Sequence, residues 1–223
     1  MITRRKFLAG ASALAVTAAL FSAADFGRSP AFAQPAGPSV MDLMASGGLD
    51  ERVLGKDDAP VTIIEYASMT CGHCAAFHVK TYPELKKRYI DTGKVRFILR
   101  EFPLDLVAAG AFALARCAGK DKHYAIVDTL FEQQKDWAFV SNPRMGLFNF
   151  AKQFGFTEQT FNACVSDKNM MQAMENGIKR ASEKFGVNST PTFFIVAGMN
   201  SKKLSGAMSI DDLAKEIDPL IQN

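Results

Sequence analysis

The residues best suited to chemistry are Cys71-Gly72-His73-Cys74. Two thiols separated by two residues can close a small disulfide and reopen it, and the thiolate is the attacking species in that exchange. An apolar run, Val61-Thr62-Ile63-Ile64-Glu65-Tyr66, precedes the pair, and an amphipathic segment follows to about Thr92. Read as strand, turn and helix, this order puts Cys71 in the first helical turn. There unpaired backbone N–H groups and the helix dipole favour negative charge. Cys74 falls one turn further in, on the face packed against the sheet. The expected pair is asymmetric, with an outer reactive sulfur and an inner resolving one.

Two other uses of CxxC compete with this reading. Half of a zinc site could recruit His73 or His78, but a closed structural site wants four ligands and no second CxxC or HxxxH is present. A purely structural disulfide is disfavoured because two intervening residues at a helix start make a small, reactive loop. No metal site is expected.

The elements that must position the pair follow from periodicity. Residues 61–66 are continuously apolar, as in a strand inside a sheet. The helix after the cysteines carries Cys74, Phe77, Thr81 and Leu85 on one face and should kink at Pro83. Residues 94–102 alternate, with Val95, Phe97 and Leu99 on one side and Arg96 and Arg100 on the other. From 104 to 186 the period is helical, with helices expected at 106–118, 122–135, 143–154, 158–165 and 169–185. Strands follow at 192–196 and 203–205 around a turn at 198–200. Ser209 and Asp212 resemble a capping box opening a last helix to residue 221. Ahead of the core, a short helix is expected at 40–45 and an edge strand at 52–55.

A strand entering CGHC, the run Cys74-Ala75-Ala76-Phe77-His78 leaving it, and the late Ser189-Thr190-Pro191-Thr192-Phe193 resemble the DsbA-type thiol:disulfide oxidoreductases of the thioredoxin superfamily. The resemblance runs from about Val53 to the C-terminus. It implies an α/β thioredoxin-like fold with an inserted α-helical subdomain, the core being 53–103 and 187–223 and the insertion 104–186. It further implies a cis bond at Thr190-Pro191, with the Thr190 backbone binding an extended substrate segment. His73 is implied to stabilise the thiolate, and Glu65 to handle the proton of Cys74 through water. Gly72 stands where proline is more typical of the strongest oxidants. A solvated strand end is the competing reading for Glu65. His78 is read as a packing or surface residue and His123 as solvated. Cys117 and Cys164 remain, and a structural disulfide between two helices of the insertion is expected.

Ile2-Thr3-Arg4-Arg5-Lys6-Phe7-Leu8, an Ala-rich stretch to about Ala24, and Ala31-Phe32-Ala33 before Gln34 resemble a twin-arginine export signal cleaved near Ala33. Plain Sec export and an uncleaved anchor are the alternatives. Residues 34–52 read as a leader to the core. The net charge of +3 lies within residues 1–33, leaving 34–223 close to neutral. That gives no argument for nucleic acid as a partner.

The resemblance, with the export signal, implies a periplasmic oxidase needing no cofactor. It would pass disulfides to unfolded or newly exported cysteine-containing proteins and be re-oxidised by a DsbB-type, quinone-linked membrane partner. With no dimerisation domain ahead of the core, a monomer is expected. A reductase or isomerase kept reduced by a DsbD-type partner, and a non-catalytic holdase, are the other readings.

Overall fold

A computed structural model describes residues 38–221. The proposed export signal and its cleavage point lie outside the described residues. Five strands form one mixed sheet in the order β1-β3-β2-β4-β5: β1 Arg52–Leu54, β2 Val61–Ala67, β3 Val95–Glu101, β4 Thr192–Ala197 and β5 Asn200–Ser205. β2 runs parallel to β3, and all other pairs are antiparallel. Every residue of the central strand β2 is buried, in keeping with its unbroken apolar run.

Two layers cover the sheet. Ile63, Phe97, Leu99, Phe193 and Ile195 face a large core that includes Phe77, Phe112, Phe131 and Leu213. Ile64, Tyr66, Ile98, Phe194 and Val196 face a smaller one made with Leu43, Ala181 and Phe185. Leu43 comes from α1 (Val40–Met44), while Ala181 and Phe185 come from α9 (Lys168–Phe185). The second layer also covers Arg100 of β3. Arg100 does not face water: it is buried, pairs with Glu51 at 3.0 Å and donates to the Tyr66 hydroxyl at 2.9 Å. Alternation within β3 marks two different cores, not a wet face and a dry one.

Six helices separate β3 from β4: α4 Leu106–Cys117, α5 Lys120–Glu132, α6 Gln134–Trp137, α7 Pro143–Lys152, α8 Glu158–Val165 and α9. Four of the six, α4, α7, α8 and α9, start on short polar residues, the usual N-terminal caps. Asp105 accepts from the Ala108 N–H at 2.7 Å, Asn142 caps α7 with Pro143 at its first position, and Thr157 and Thr160 form a capping box. α9 ends on Gly186 at φ 62°, a left-handed position that glycine occupies without a Cβ penalty.

Several expected boundaries move. The helix expected at 122–135 begins at Lys120 and divides at Gln133 into α5 and α6. The single kinked helix after Cys74 is three pieces: α2 Gly72–Lys80, α3 Tyr82–Leu85 and one π turn over Lys86–Ile90. Pro83 sits near the start of α3, where its missing N–H costs little. The break at Thr81 is secured by its hydroxyl, which donates to the Met208 carbonyl at 2.9 Å ahead of α10 (Ile210–Ile221). β5 starts three residues earlier than expected.

His123 corrects the expectation of a solvated side chain. It lies on the inner side of α5, fully buried, with both ring nitrogens lacking a hydrogen-bond partner. Burial pushes its pKa down to about 4, so the ring is neutral, and it packs edge-on against Tyr124.

A disulfide joins Cys117 at the end of α4 to Cys164 in α8, 47 residues apart. It ties the α7–α8 hairpin to the helix leaving the sheet. Closing a loop of this length stabilises by about 4 kcal/mol at most in the chain-entropy account. Replacing both cysteines by alanine is expected to lower the unfolding free energy by up to that amount in a denaturant titration, while thiol–disulfide exchange at the CGHC pair continues. Loss of exchange in a folded variant would contradict this separation.

Candidate active site

β2 runs into a short loop, Ser68 to Thr70, that delivers Cys71 to the N-cap of α2. The loop is held from two sides. Thr70 donates to Asp105 at 2.7 Å, and Ser68 Oγ accepts from the Leu104 N–H at 3.2 Å. From the helical layer, buried Gln134 donates its amide to the Met69 carbonyl at 2.8 Å and the Cys71 carbonyl at 3.0 Å. Asp105 thus has two tasks, capping α4 and fixing the approach to Cys71.

Cys71 is half-buried and Cys74 fully enclosed, and both are free thiols. Cys71 Sγ accepts from the Cys74 backbone N–H at 3.4 Å and, as a thiol, donates to the Thr190 carbonyl at 3.3 Å. Its pKa falls to about 5. The chief cause is the Cys74 S–H donating to the thiolate, and partial burial works in the opposite direction. Thr190 adds to the drop, as do the N–H groups of Cys74 and His73. Burial drives the Cys74 thiol far up, reinforced by its bond to Cys71 and by the charge of Glu65. At neutral pH the reduced pair is therefore one thiolate and one thiol.

Gly72 and His73 are both exposed in the first turn of α2. His73 acts on the thiolate through its main-chain N–H. Thr190-Pro191 is cis and lies against the CGHC turn through the Cys71–Thr190 contact. Glu65 is fully buried, which removes the solvated reading of that carboxylate. Its Oε2 lies 2.9 Å from His78 Nε2, and its Oε1 is buried without a hydrogen-bond partner. His78, one turn beyond Cys74, is also buried, stacked on Phe131 at 4.2 Å. Burial alone would push its pKa down, but Glu65 and Asp128 outweigh it and raise it to about 9. His78 is thus a packing residue that also carries charge.

Sequence reasoning missed Gln134 and Asp105 as supports of the loop. Asp105 had one usable signal, a helix-capping residue type directly ahead of an apolar helical run. Gln134 had none, because its partners are main-chain carbonyls more than sixty residues away.

The thiolate assignment has a direct chemical readout. Iodoacetamide at neutral pH should alkylate Cys71 and spare Cys74, with a rate that falls only as the pH drops through about 5. Equal labelling of both cysteines, or a rate that keeps rising to about pH 9, where an ordinary free thiol ionises, would contradict it.

Comparison with known proteins agrees with this geometry. The family model described as thioredoxin matches residues 49–219. A Rickettsia bellii protein named for protein-disulfide oxidoreductase activity is 32% identical over 191 residues, spanning 83% of this chain and 71% of the relative. The crystal structure of Wolbachia pipientis alpha-DsbA1 superposes with a TM-score of 0.72 at 32% identity, covering 78% of this chain and 92% of that one. BdbD from Bacillus subtilis shares the fold, with a TM-score of 0.68 at 22% identity over 84% of this chain and 98% of its own. A thiolate at a helix N-terminus, a buried second thiol and a cis-proline strand beside them thus occur in a chain of matching sequence and fold: it belongs to the DsbA-type thiol:disulfide oxidoreductases of the thioredoxin family.

Proposed function

We propose that the protein is an exported oxidase that introduces disulfides into cysteine-containing proteins after their translocation. The observation that carries this direction is the low Cys71 pKa of about 5. Stabilising the Cys71 thiolate stabilises the reduced enzyme, and a dithiol that is stable when reduced makes its disulfide a strong oxidant.

The steps follow from the two sulfurs. A substrate thiolate attacks Cys71 Sγ of the Cys71–Cys74 disulfide, and the S–S bond electrons leave on Cys74. Cys74 cannot remain an anion where it is buried, so it takes a proton, with Glu65 as the nearby acid. A second substrate thiolate then attacks the substrate sulfur of the mixed disulfide and expels Cys71 as thiolate. The substrate gains a disulfide and the enzyme keeps two electrons and one proton. Thr190 supports the reading of a substrate segment laid beside Cys71 as an added strand, because its carbonyl lies within reach of Cys71. Gly72 and His73, exposed in the first turn of α2, are the tuning residues of this reading, His73 through its main-chain N–H.

The N-terminal basic and Ala-rich stretch supports delivery to the periplasm, where the protein would meet unfolded clients and a DsbB-type membrane re-oxidant. Among the described residues no helix is long and apolar enough to cross a membrane. Structural disulfides persist in such an oxidising compartment, and the Cys117–Cys164 bond fits it.

The deciding assay sets a reduced, unfolded client beside a scrambled one. The oxidase reading expects rapid oxidation of the first and weak repair of the second; the reverse pattern would make the protein an isomerase. Cys71→Ser should abolish both activities, whereas a holdase would survive it. Glu65→Gln should slow exchange by about tenfold or more without unfolding the chain, the scale of a lost acid–base group. Unchanged kinetics would remove Glu65 from the proton step.

A further inference from the structure

The proton that Cys74 needs must come from somewhere, and Glu65 is enclosed in β2 with no direct access to water. What touches Glu65 is His78 of α2, through Oε2 and Nε2 at 2.9 Å. The other ring nitrogen, Nδ1, is buried without a hydrogen bond and lies 3.8 Å from Asp128 Oδ1 of α5. Asp128 is 43% exposed on its side chain. His78 and Asp128 line a surface cavity of about 280 Å³ between α2, α3 and α5, with Tyr82, Lys86 and Glu132 as its other titratable groups. The charge of Glu65 acts on the buried Cys74 thiol, Glu65 meets buried His78, and His78 faces half-exposed Asp128 at the open cavity.

We propose that His78, held between Glu65 and Asp128, is the proton store for Cys74, giving a proton through Glu65 when Cys74 is expelled and taking it back when Cys74 attacks. In the first half-reaction the S–S electron pair arrives on Cys74, a proton passes from His78 Nε2 to the Glu65 carboxylate, and the carboxyl gives a proton to Cys74. The imidazole is left neutral with its remaining proton on Nδ1, facing Asp128. On re-oxidation Cys71 attacks the incoming disulfide, and the Cys74 proton returns through Glu65 to Nε2. The freed Cys74 thiolate then displaces the partner's sulfur from Cys71. Between the half-reactions the neutral imidazole refills from solvent through Asp128 and the cavity, and the same route sheds one proton on re-oxidation, so reduction takes up one proton in all. The store is full at neutral pH because two carboxylates hold His78 protonated to about 9. The packing supports a fixed ring: Phe131 stacks on it and Tyr82 lies 4.9 Å away, so Nε2 and Nδ1 keep their separate partners.

This inference rests on the Glu65 proton role above and is independent of the direction of exchange. Its test is chemical rescue. His78→Ala removes a wall of the cavity and should slow exchange at neutral pH by about tenfold or more, and added imidazole should restore most of that loss. A folded His78→Ala protein with unchanged exchange, or with a loss that imidazole does not restore, overturns the proposal. If His78→Ala does not fold, Asp128→Asn serves instead. Losing one of its two carboxylates should let His78 deprotonate earlier, so the alkaline fall in rate should move to lower pH, and an unmoved profile overturns the proposal. Glu65→Gln separates the two readings: if it slows exchange while His78→Ala does not, only the His78 store fails. If Glu65→Gln also changes nothing, the Glu65 role fails with it.

Discussion

Both the N–H and the S–H of Cys74 serve Cys71, while the sulfur of Cys74 is itself shut away from water. This arrangement lets the pair lose its symmetry. A half-exposed sulfur with several donors around it ionises easily, and a buried one beside a carboxylate does not. Little of the asymmetry comes from side chains that are themselves charged and near Cys71. It comes from where a helix begins and how deep its first turn goes into the core. Shifting the start of α2 by one residue would turn Cys74 off the buried face and remove the difference.

Much of the remaining structure keeps that helix start in place. Gln134, Asp105 and Ser68 pin the loop before Cys71 to the helical layer, so the inserted helices are supports of the site as well as added bulk. The charges buried behind it are of a different kind. An unpaired carboxylate in β2 would be costly, and the Glu65–His78 contact offsets that cost, with Asp128 as a second carboxylate beside the imidazolium. A fold seeking stability alone could fill that space with apolar side chains. Glu65, His78 and Asp128, three titratable groups in sequential contact, are retained there instead.

How much of the chain is legible in its sequence depends on the range of the interactions involved. The redox pair, its strand and its helix are legible because each depends on residues within a few positions: the β2 run, the CxxC spacing, the amphipathic start of α2. Capping residues such as Ser209 are legible for the same reason. His123 misleads, and the burial of Arg100 has no local signal, because α1, α9 and the α4–α5 corner pack over them from distant parts of the sequence. The packing role of His78 can be read locally, but its charge cannot, since Asp128 arrives from fifty residues further along. The division of the helix after Cys74 follows a proline visible in the sequence. The hold on that break, Thr81 on the Met208 carbonyl, comes from 127 residues away and has no local signal.

The central claim is that reduction leaves one sulfur ionised and one protonated, and the reduction potential measured against pH tests it most directly. A two-electron couple shifts by about 30 mV for each proton taken up per pH unit. Reduction with uptake of one proton should therefore give a slope of about 30 mV per pH unit through neutrality. The slope should steepen to about 60 mV per unit once Cys71 is protonated, with the break near pH 5. A single slope of about 60 mV per unit continuing to about pH 8 or above would mean that both thiols stay protonated on reduction. That result would contradict an ionised Cys71 at neutral pH.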